Sequence, residues 1–266
     1  MWQRSELKQR AKIVFKRVYW KAVLVSFIAF MLTGGFAEVS SNVNDIKDTY
    51  NTSYYSEDYL EEYEDESFNL TEETANILEN IFGDGFVLLF VNAFIIVFIL
   101  SLLIKLLIAY PITVGKNNYF LGIREEDKPV KNILSVYKSG KLKSTVITMF
   151  FMDIFIFLWS ILFLIPGIIK SYEYRMIPYI LSENPNISRK RAFEISKKMM
   201  HGNKWETFVL DLSFIGWYLL STLTIGILSI FYVNPYVEST NAELYAFLRE
   251  DALEKGYADE SELIGF

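Results

Sequence analysis

The chain has 266 residues, 52% of them hydrophobic and 17% aromatic, with a formal net charge of −6 and no cysteine. Without cysteine there is no disulfide, thiolate metal site or cysteine nucleophile, and a single histidine, His201, excludes a histidine-rich metal site. The apolar residues gather in runs long enough to cross a bilayer, which takes about 20 residues as a helix, so the class indicated is an integral membrane protein.

The N-terminal stretch 1–21 carries seven Lys/Arg against one acid, Glu6. Leu7, Ala11, Val14 and Val18 repeat at helical spacing with basic residues around them, the pattern of an interfacial helix. Its expected partners are the bilayer and anionic lipid headgroups rather than nucleic acid. The first apolar run, Trp20 to Ala37, is interrupted only by Lys21. Gly35-Phe36-Ala37 resembles a signal cleavage site, but the long basic region and the further spans favour an uncleaved anchor.

Between the first and second runs the composition inverts. Residues 38–84 hold 14 acidic side chains and one lysine, Lys47. Lys and Arg are retained on the cytoplasmic side of membranes, whereas acidic loops cross freely. The loop 38–85 is therefore expected outside and largely disordered, and the N-terminus inside. The loop does not match the ligand spacing of an EF-hand. Asn51-Thr52-Ser53 and Asn69-Leu70-Thr71 match glycosylation sequons.

The second run, Phe86 to Ile104, is free of charge. Residues 116–143 again hold seven Lys/Arg, set against Glu125, Glu126 and Asp127, as a cytoplasmic loop would. The third run, Val146 to Ile169, contains Asp153. If it simply exits, then Arg189, Lys190, Arg191, Lys197, Lys198 and Lys204 end outside, against the positive-inside rule. A turn at Pro166-Gly167 with a return leg over Ile168–Leu181 removes the conflict. That leg carries Lys170, Glu173 and Arg175, so it cannot face lipid all round.

The basic stretch that follows repeats the interfacial pattern with Ala192, Ile195 and Met199. The fourth run, Phe208 to Val233, contains Asp211. It is either one tilted helix or an exit leg to about Thr222 with a return leg through Tyr236. The acidic segment 251–266 then forms a cytoplasmic tail. Four runs are read as spans, and the two return legs bring the number to six. The expected fold is an all-α polytopic bundle of three helical hairpins, each preceded by a basic interfacial helix. A weak internal repeat agrees with this: Tyr19-Trp20-Lys21 precedes Ser26-Phe27-Ile28, and Lys204-Trp205-Glu206 precedes Ser213-Phe214-Ile215.

Ionisable groups at membrane depth are functional candidates by default. Helical rise places Arg175 about four residues, roughly 6 Å, from the level of Asp153, so these two are expected to pair. Lys170 and Glu173 are i, i+3 neighbours and are expected to pair on their own helix. Asp211 is placed near the headgroups. A structural role for this cluster is favoured over a proton relay or transport site. No phosphate loop, nucleophile elbow or HExxH helix is visible, so neither catalytic residues nor a cofactor nor a metal is expected.

Several strings then become informative together: Leu164-Ile165-Pro166-Gly167-Ile168-Ile169-Lys170-Ser171-Tyr172, Tyr174, Met176-Ile177-Pro178-Tyr179, Met200 and Gly202. Lys204-Trp205-Glu206, Ser213-Phe214-Ile215-Gly216-Trp217 and Asn234-Pro235-Tyr236 complete the set. With Ser5-Glu6-Leu7-Lys8 near the start, the chain resembles a family of bacterial integral membrane proteins, domain of unknown function 975. More faintly it is similar to the membrane domain attached to some glycerophosphodiester phosphodiesterases. The resemblance implies a cell-membrane protein and supplies no activity. It departs from the family pattern at His201 and Asn203, which argues against a catalytic His201. The expectation is a non-enzymatic membrane protein, an accessory or envelope-homeostasis factor, with a small transporter or permease as the alternative.

Overall fold

The computed structural model describes residues 2–33 and 84–265, with the side chains of 84–88 excepted. The expectations for the acidic loop, its disorder and sequons included, lie outside the described residues. No strand occurs among the described residues, and the architecture is all-helical. The chain divides into two compact units, residues 1–35 with 106–266, and residues 36–105.

The described part of the second unit is α3, Asp84–Ile104, with α1 (Arg4–Arg17) and α2 (Tyr19–Leu32) preceding it in the other unit. After a π-helical turn at Lys105–Ala109 come α4 (Tyr110–Gly122), a 3-10 turn (Val130–Leu134) and the short α5 (Ser135–Lys138). Then follow α6 (Leu142–Leu162), α7 (Leu164–Glu173), α8 (Ile177–Glu183) and α9 (Arg189–Met200). The chain closes with α10 (Lys204–Leu212), α11 (Ile215–Leu223), a π turn (Ser229–Val233) and α12 (Asn234–Glu254).

The core of the larger unit forms around α4. Ten of its residues are buried, among them Ile112, Val114, Tyr119 and Phe120. Gly115 lets the 3-10 turn approach so closely that a Cβ there would stand 1.9 Å from the Ile133 carbonyl oxygen. α8 and α12 pack on α4, and α1 packs along α12. The buried face of α1 is Leu7, Ala11 and Phe15, with Val14 half-buried. α9 buries Ala192, Phe193, Ile195, Met199 and Met200 against α12, α8 and α7. This corrects one expectation: both basic helices turn their apolar faces to protein. What they leave for a headgroup region is their charged side.

Among the described residues two helical stretches are long and apolar enough to cross a membrane, Leu89–Gly122 with 34 residues and Leu142–Leu162 with 21. The other two runs read as spans are shorter as helices. α2 has 14 residues. The run 208–233 is broken at 213–214 and at 224–226, and its end is a π-helical segment continuous with α12.

The chain reverses twice, near the two places where return legs were expected. α6 and α7 form a hairpin, but the break falls at Phe163, which is extended (φ −156°, ψ 138°), and not at Pro166-Gly167. Pro166 sits in the first turn of α7, where its missing N–H would lack an intrahelical partner anyway. Gly167 is the close-approach point: a Cβ would meet the Ser160 Oγ at 2.2 Å and its Cα at 2.7 Å. In the second hairpin Gly226 (φ 80°) and Ile225 (φ 51°) make the turn. The Ser221 and Ser229 hydroxyls then meet at 2.6 Å across it. α11 ends at Leu223, one residue past the Thr222 boundary of the two-leg reading.

Apolar residues left out of the core line these hairpins, as they also line α3. Leu164 is 72% exposed, Leu223 81% and Ile225 80%. Contiguous apolar surface of this kind marks a membrane or protein contact.

Gly167→Ala is expected to destabilise the purified chain in detergent by about 1–3 kcal/mol, the usual cost of overpacking. Gly216→Ala, where an added Cβ meets nothing within 4 Å, is expected to leave the melting midpoint unchanged or raised. Equal tolerance at both positions would contradict the α6–α7 approach.

Candidate functional site

The polar cluster sits where α7 stops and α8 begins. The residues Tyr174, Arg175 and Met176 form the break, and Arg175 projects from it. Its guanidinium forks onto Asp211, Nη1 to Oδ2 at 2.5 Å and Nη2 to Oδ1 at 2.8 Å. Nη2 also donates to Asn241 Oδ1 at 3.0 Å. The Tyr172 hydroxyl donates to the Asp211 Oδ2 at 2.8 Å, and its ring lies 5.5 Å from the guanidinium. One arginine thereby ties together the α7–α8 break, α10 and α12. A bidentate arginine–carboxylate pair is among the stronger charge-assisted arrangements.

Glu173 organises a second node. It accepts from Lys170 Nζ at 2.9 Å and from Lys204 Nζ at 3.0 Å, with Lys197 Nζ at 3.8 Å. Its backbone carbonyl accepts from the buried Ser196 hydroxyl at 2.8 Å. α7, α9 and α10 meet on this one carboxylate.

Asp153 does not pair with Arg175. It accepts from the Tyr110 hydroxyl at 2.7 Å, joining α6 to α4. The expected Asp153–Arg175 bridge is therefore corrected to Asp211–Arg175. The helical-rise arithmetic assumed two straight legs meeting at Pro166. The real turn is three residues earlier, and the break at 174–176 aims Arg175 toward α10 instead. Asp211 is correspondingly a network member and not a solitary headgroup-level acid. The Lys170–Glu173 pair stands as expected.

A third set lies on α12 and was not singled out from the sequence. The Glu183 side chain is fully buried (0% exposed) and bridged by Arg249 Nε at 2.6 Å. It also accepts from the Tyr245 hydroxyl at 2.5 Å and from the Gly265 N–H at 2.6 Å. Lys116 pairs with Glu238 at 2.5 Å and Arg124 with Glu243 at 3.0 Å. Glu238, Glu243 and Arg249 stand five and six residues apart, which is not helical spacing, so no face pattern announced them.

This set also fixes the C-terminal segment. Arg191 grips Glu262 with two nitrogens, at 2.5 and 2.8 Å, and Leu263 is fully buried. Residues 251–265 are thus a docked extension of the fold. Hydrogen bonding from Arg191 holds the Glu262 carboxyl below the usual range, and burial pushes the Tyr245 phenol well above its ordinary value.

The family-motif residues fall into place around these nodes. Gly202 has φ 80° and turns the chain from α9 into α10, while the buried Met200 ends α9. The Tyr174 ring stacks edge-on against Phe193 at 4.9 Å. Pro178 opens α8 and Pro235 opens α12. The Ser213 hydroxyl caps back onto the Leu210 carbonyl. Trp217 contacts Tyr232, and Tyr232 contacts Tyr236. Trp205 is exposed beside Phe208. Among the described residues no group of three or more His, Asp or Glu is placed to hold a metal.

Fold and site together define an all-helical protein with two membrane-length helices and a charge network that clamps its short helices. A family model described as protein of unknown function (DUF975) matches residues 65–252, and the chain belongs to that family. The match takes in the distal part of the acidic loop and leaves out α1 and α2, which the residue-level resemblance had included. No curated protein and no solved structure matches the chain.

Breaking one side of the Arg175 fork leaves a charge without its partner. Asp211→Ala is expected to cost on the order of 3 kcal/mol in detergent unfolding. Arg175→Ala combined with it is expected to cost clearly less than the two single losses added, the coupling a double-mutant cycle reads. Additive losses would contradict the pairing.

The Glu262 contact carries a pH sign. A carboxylate lowered in the folded state contributes stability above its unfolded value, about pH 4.3, and loses it as pH falls through the folded value. Amide exchange over residues 257–265, corrected for intrinsic rates, is expected to rise on acidification below about pH 4. Glu262→Gln is expected to show the raised exchange at neutral pH already.

Proposed function

We propose that the chain is a non-enzymatic integral protein of the bacterial cell membrane, an accessory factor in envelope homeostasis. The observation that carries this reading is the closure of the charge network. Arg175, Asp211, Glu173 and Glu183 each direct their polar atoms at partners from other helices. Groups locked in this way stabilise a fold, whereas a catalytic acid or base has to meet a reacting atom.

In this reading both termini are cytoplasmic, residues 38–85 lie outside, and the charged sides of α1 and α9 face anionic headgroups. The six-span arrangement expected from the sequence satisfies that sidedness. So does any hairpin that returns to the side it left.

A small transporter is the second reading. Arg175 lies in the break between two short helices, a placement that recurs at the sites of transporters built from discontinuous helices. Reconstituted in sealed liposomes, the chain is expected to give no proton or alkali-cation flux above protein-free liposomes. Flux that disappears in Asp211→Asn would support transport and overturn the accessory reading.

Sidedness is tested by cysteine labelling, since the chain has no cysteine of its own. Ser196 is fully buried and unsuitable as a probe, whereas Lys190 is exposed. Lys190→Cys is expected to resist an impermeant maleimide on intact cells and to react in inverted vesicles. Tyr55→Cys is expected to behave in the opposite way.

A further inference from the structure

We propose that the hairpins α6–α7 and α10–α11–π turn are re-entrant: they insert into the acyl region of one leaflet and leave from the side they entered. The partner of this apolar surface is the hydrocarbon of the cytoplasmic leaflet. The proposal rests on the membrane reading above and adds the depth at which the chain stops.

The first argument is length above a charged floor. On α6 the floor is set by α9, whose Arg189 guanidinium lies 3.9 Å from the Phe151 ring and whose Phe193 ring meets Phe155 at 5.6 Å. Above Phe155 only seven residues remain to the end of α6 at Leu162, about 10 Å at 1.5 Å per residue. On α7 the floor is Lys170, salt-bridged to Glu173, and Leu164 to Ile169 rise about 9 Å above it.

The second hairpin gives the same answer from different contacts. Lys8 of α1 donates to the Ser213 carbonyl at 3.3 Å and stands 4.1 Å over the Phe214 ring. Tyr19 donates to the Phe231 carbonyl at 3.1 Å on the returning side. Above that level stands α11 with its 9 residues, about 13 Å. A bilayer core is about 30 Å thick. Each hairpin therefore reaches between a third and a half of the way across. α1 and α9 are too rich in Lys and Arg to follow the hairpins into hydrocarbon.

The second argument is the chemistry of the tips. A loop emerging into water on the far side would gain from polar or charged residues. Residues 154–169 and 212–237 contain no charge at all. Ile225 occupies a positive φ (51°), where glycine or asparagine is far easier and a β-branched residue is an outlier. That backbone cost is offset if the side chain, 80% exposed to its surroundings, lies in hydrocarbon.

The third argument is that the turn satisfies itself. Irregular backbone cannot face lipid with open polar groups. Here Gly226 N–H donates to Ser221 O at 2.9 Å and Ile225 N–H to Thr222 O at 3.1 Å. Thr224 Oγ1 donates to Ser221 O and accepts from Leu228 N–H, while Ser229 N–H donates to Ser221 Oγ. The first hairpin closes less completely: Gly167 N–H donates to Phe163 O at 3.2 Å, while Phe163 gives α7 no side-chain cap.

The experiment uses the full-length chain with single cysteines at Ile165 and at Leu223, alongside the Lys190→Cys and Tyr55→Cys references. Both tip cysteines are expected to resist an impermeant maleimide from either side of the membrane and to react once detergent dissolves it. A bimane attached at Leu223→Cys and reconstituted is expected to be quenched most by nitroxides deep on the acyl chain. Reaction from outside would show that the hairpins cross. Reaction from inside would show that they never enter, and silence even in detergent would show a protein covering them. Each of these overturns the proposal. If the references fail to report opposite sides, or the chain leaves the membrane in alkaline carbonate, the membrane reading itself fails.

Discussion

The fork between Arg175 and Asp211 is the interaction on which the arrangement of the larger unit depends. It joins the α7–α8 break to α10, and through Asn241 it reaches α12. Three helices of ten residues or fewer cannot hold their places by propensity alone, because short isolated helices are marginal. Charge-assisted hydrogen bonds fix them instead. Glu173 does the same for α7, α9 and α10, and Glu183 for α8, α12 and the C-terminal segment. The three carboxylates act in parallel, each binding elements that are distant in sequence.

These nodes also decide how the apolar surface is presented. A helix anchored at its base by paired charges can extend only its apolar end into lipid. On α6 and α7 the anchored base is the zone of Phe151, Phe155, Lys170 and Glu173, and the free end is the turn at Phe163. On the second hairpin the base is Ser213 and Phe214 beneath Lys8, and the free end is Ile225-Gly226. The basic helices α1 and α9, with their apolar faces taken up by α12 and the core, each lie against one base, α1 at Phe214 and α9 at Phe151 and Phe155.

Much of this was legible in the sequence, for identifiable reasons. The acidic stretch 38–84 set an expected sidedness, and the resulting conflict at Arg189–Lys204 suggested a turn near Pro166. A turn near Thr222 was one of two readings of 208–233. The chain reverses at Phe163 and at Ile225-Gly226. The i, i+3 spacing gave Lys170–Glu173, and helical periodicity gave the Ala192–Ile195–Met199 face, though not that protein covers it. Three things were hidden. Run length alone cannot reveal that an apolar stretch is cut by turns, as 208–233 is. A proline in an apolar run reads as a breaker, yet in the first turn of α7 it starts a helix. The choice of Asp211 over Asp153 for Arg175 depends on the direction of an irregular break, which no periodicity encodes. Asn241 gave no signal, because a neutral amide on a polar helix looks like any surface residue.

The central claim is that paired charges hold the bases of two hairpins at the headgroup level and limit how deeply the apolar ends go. The most direct measurement is the depth of the chain in a bilayer of known thickness, by electron cryomicroscopy of the protein in a lipid nanodisc. The account predicts α1 and α9 at one phosphate plane and Ile165 and Ile225 about 9–13 Å further in, the rise of the helical segments above the charged floor. Tips resolved at the opposite phosphate plane, or the Arg175–Asp211 fork at the bilayer midplane, would contradict it.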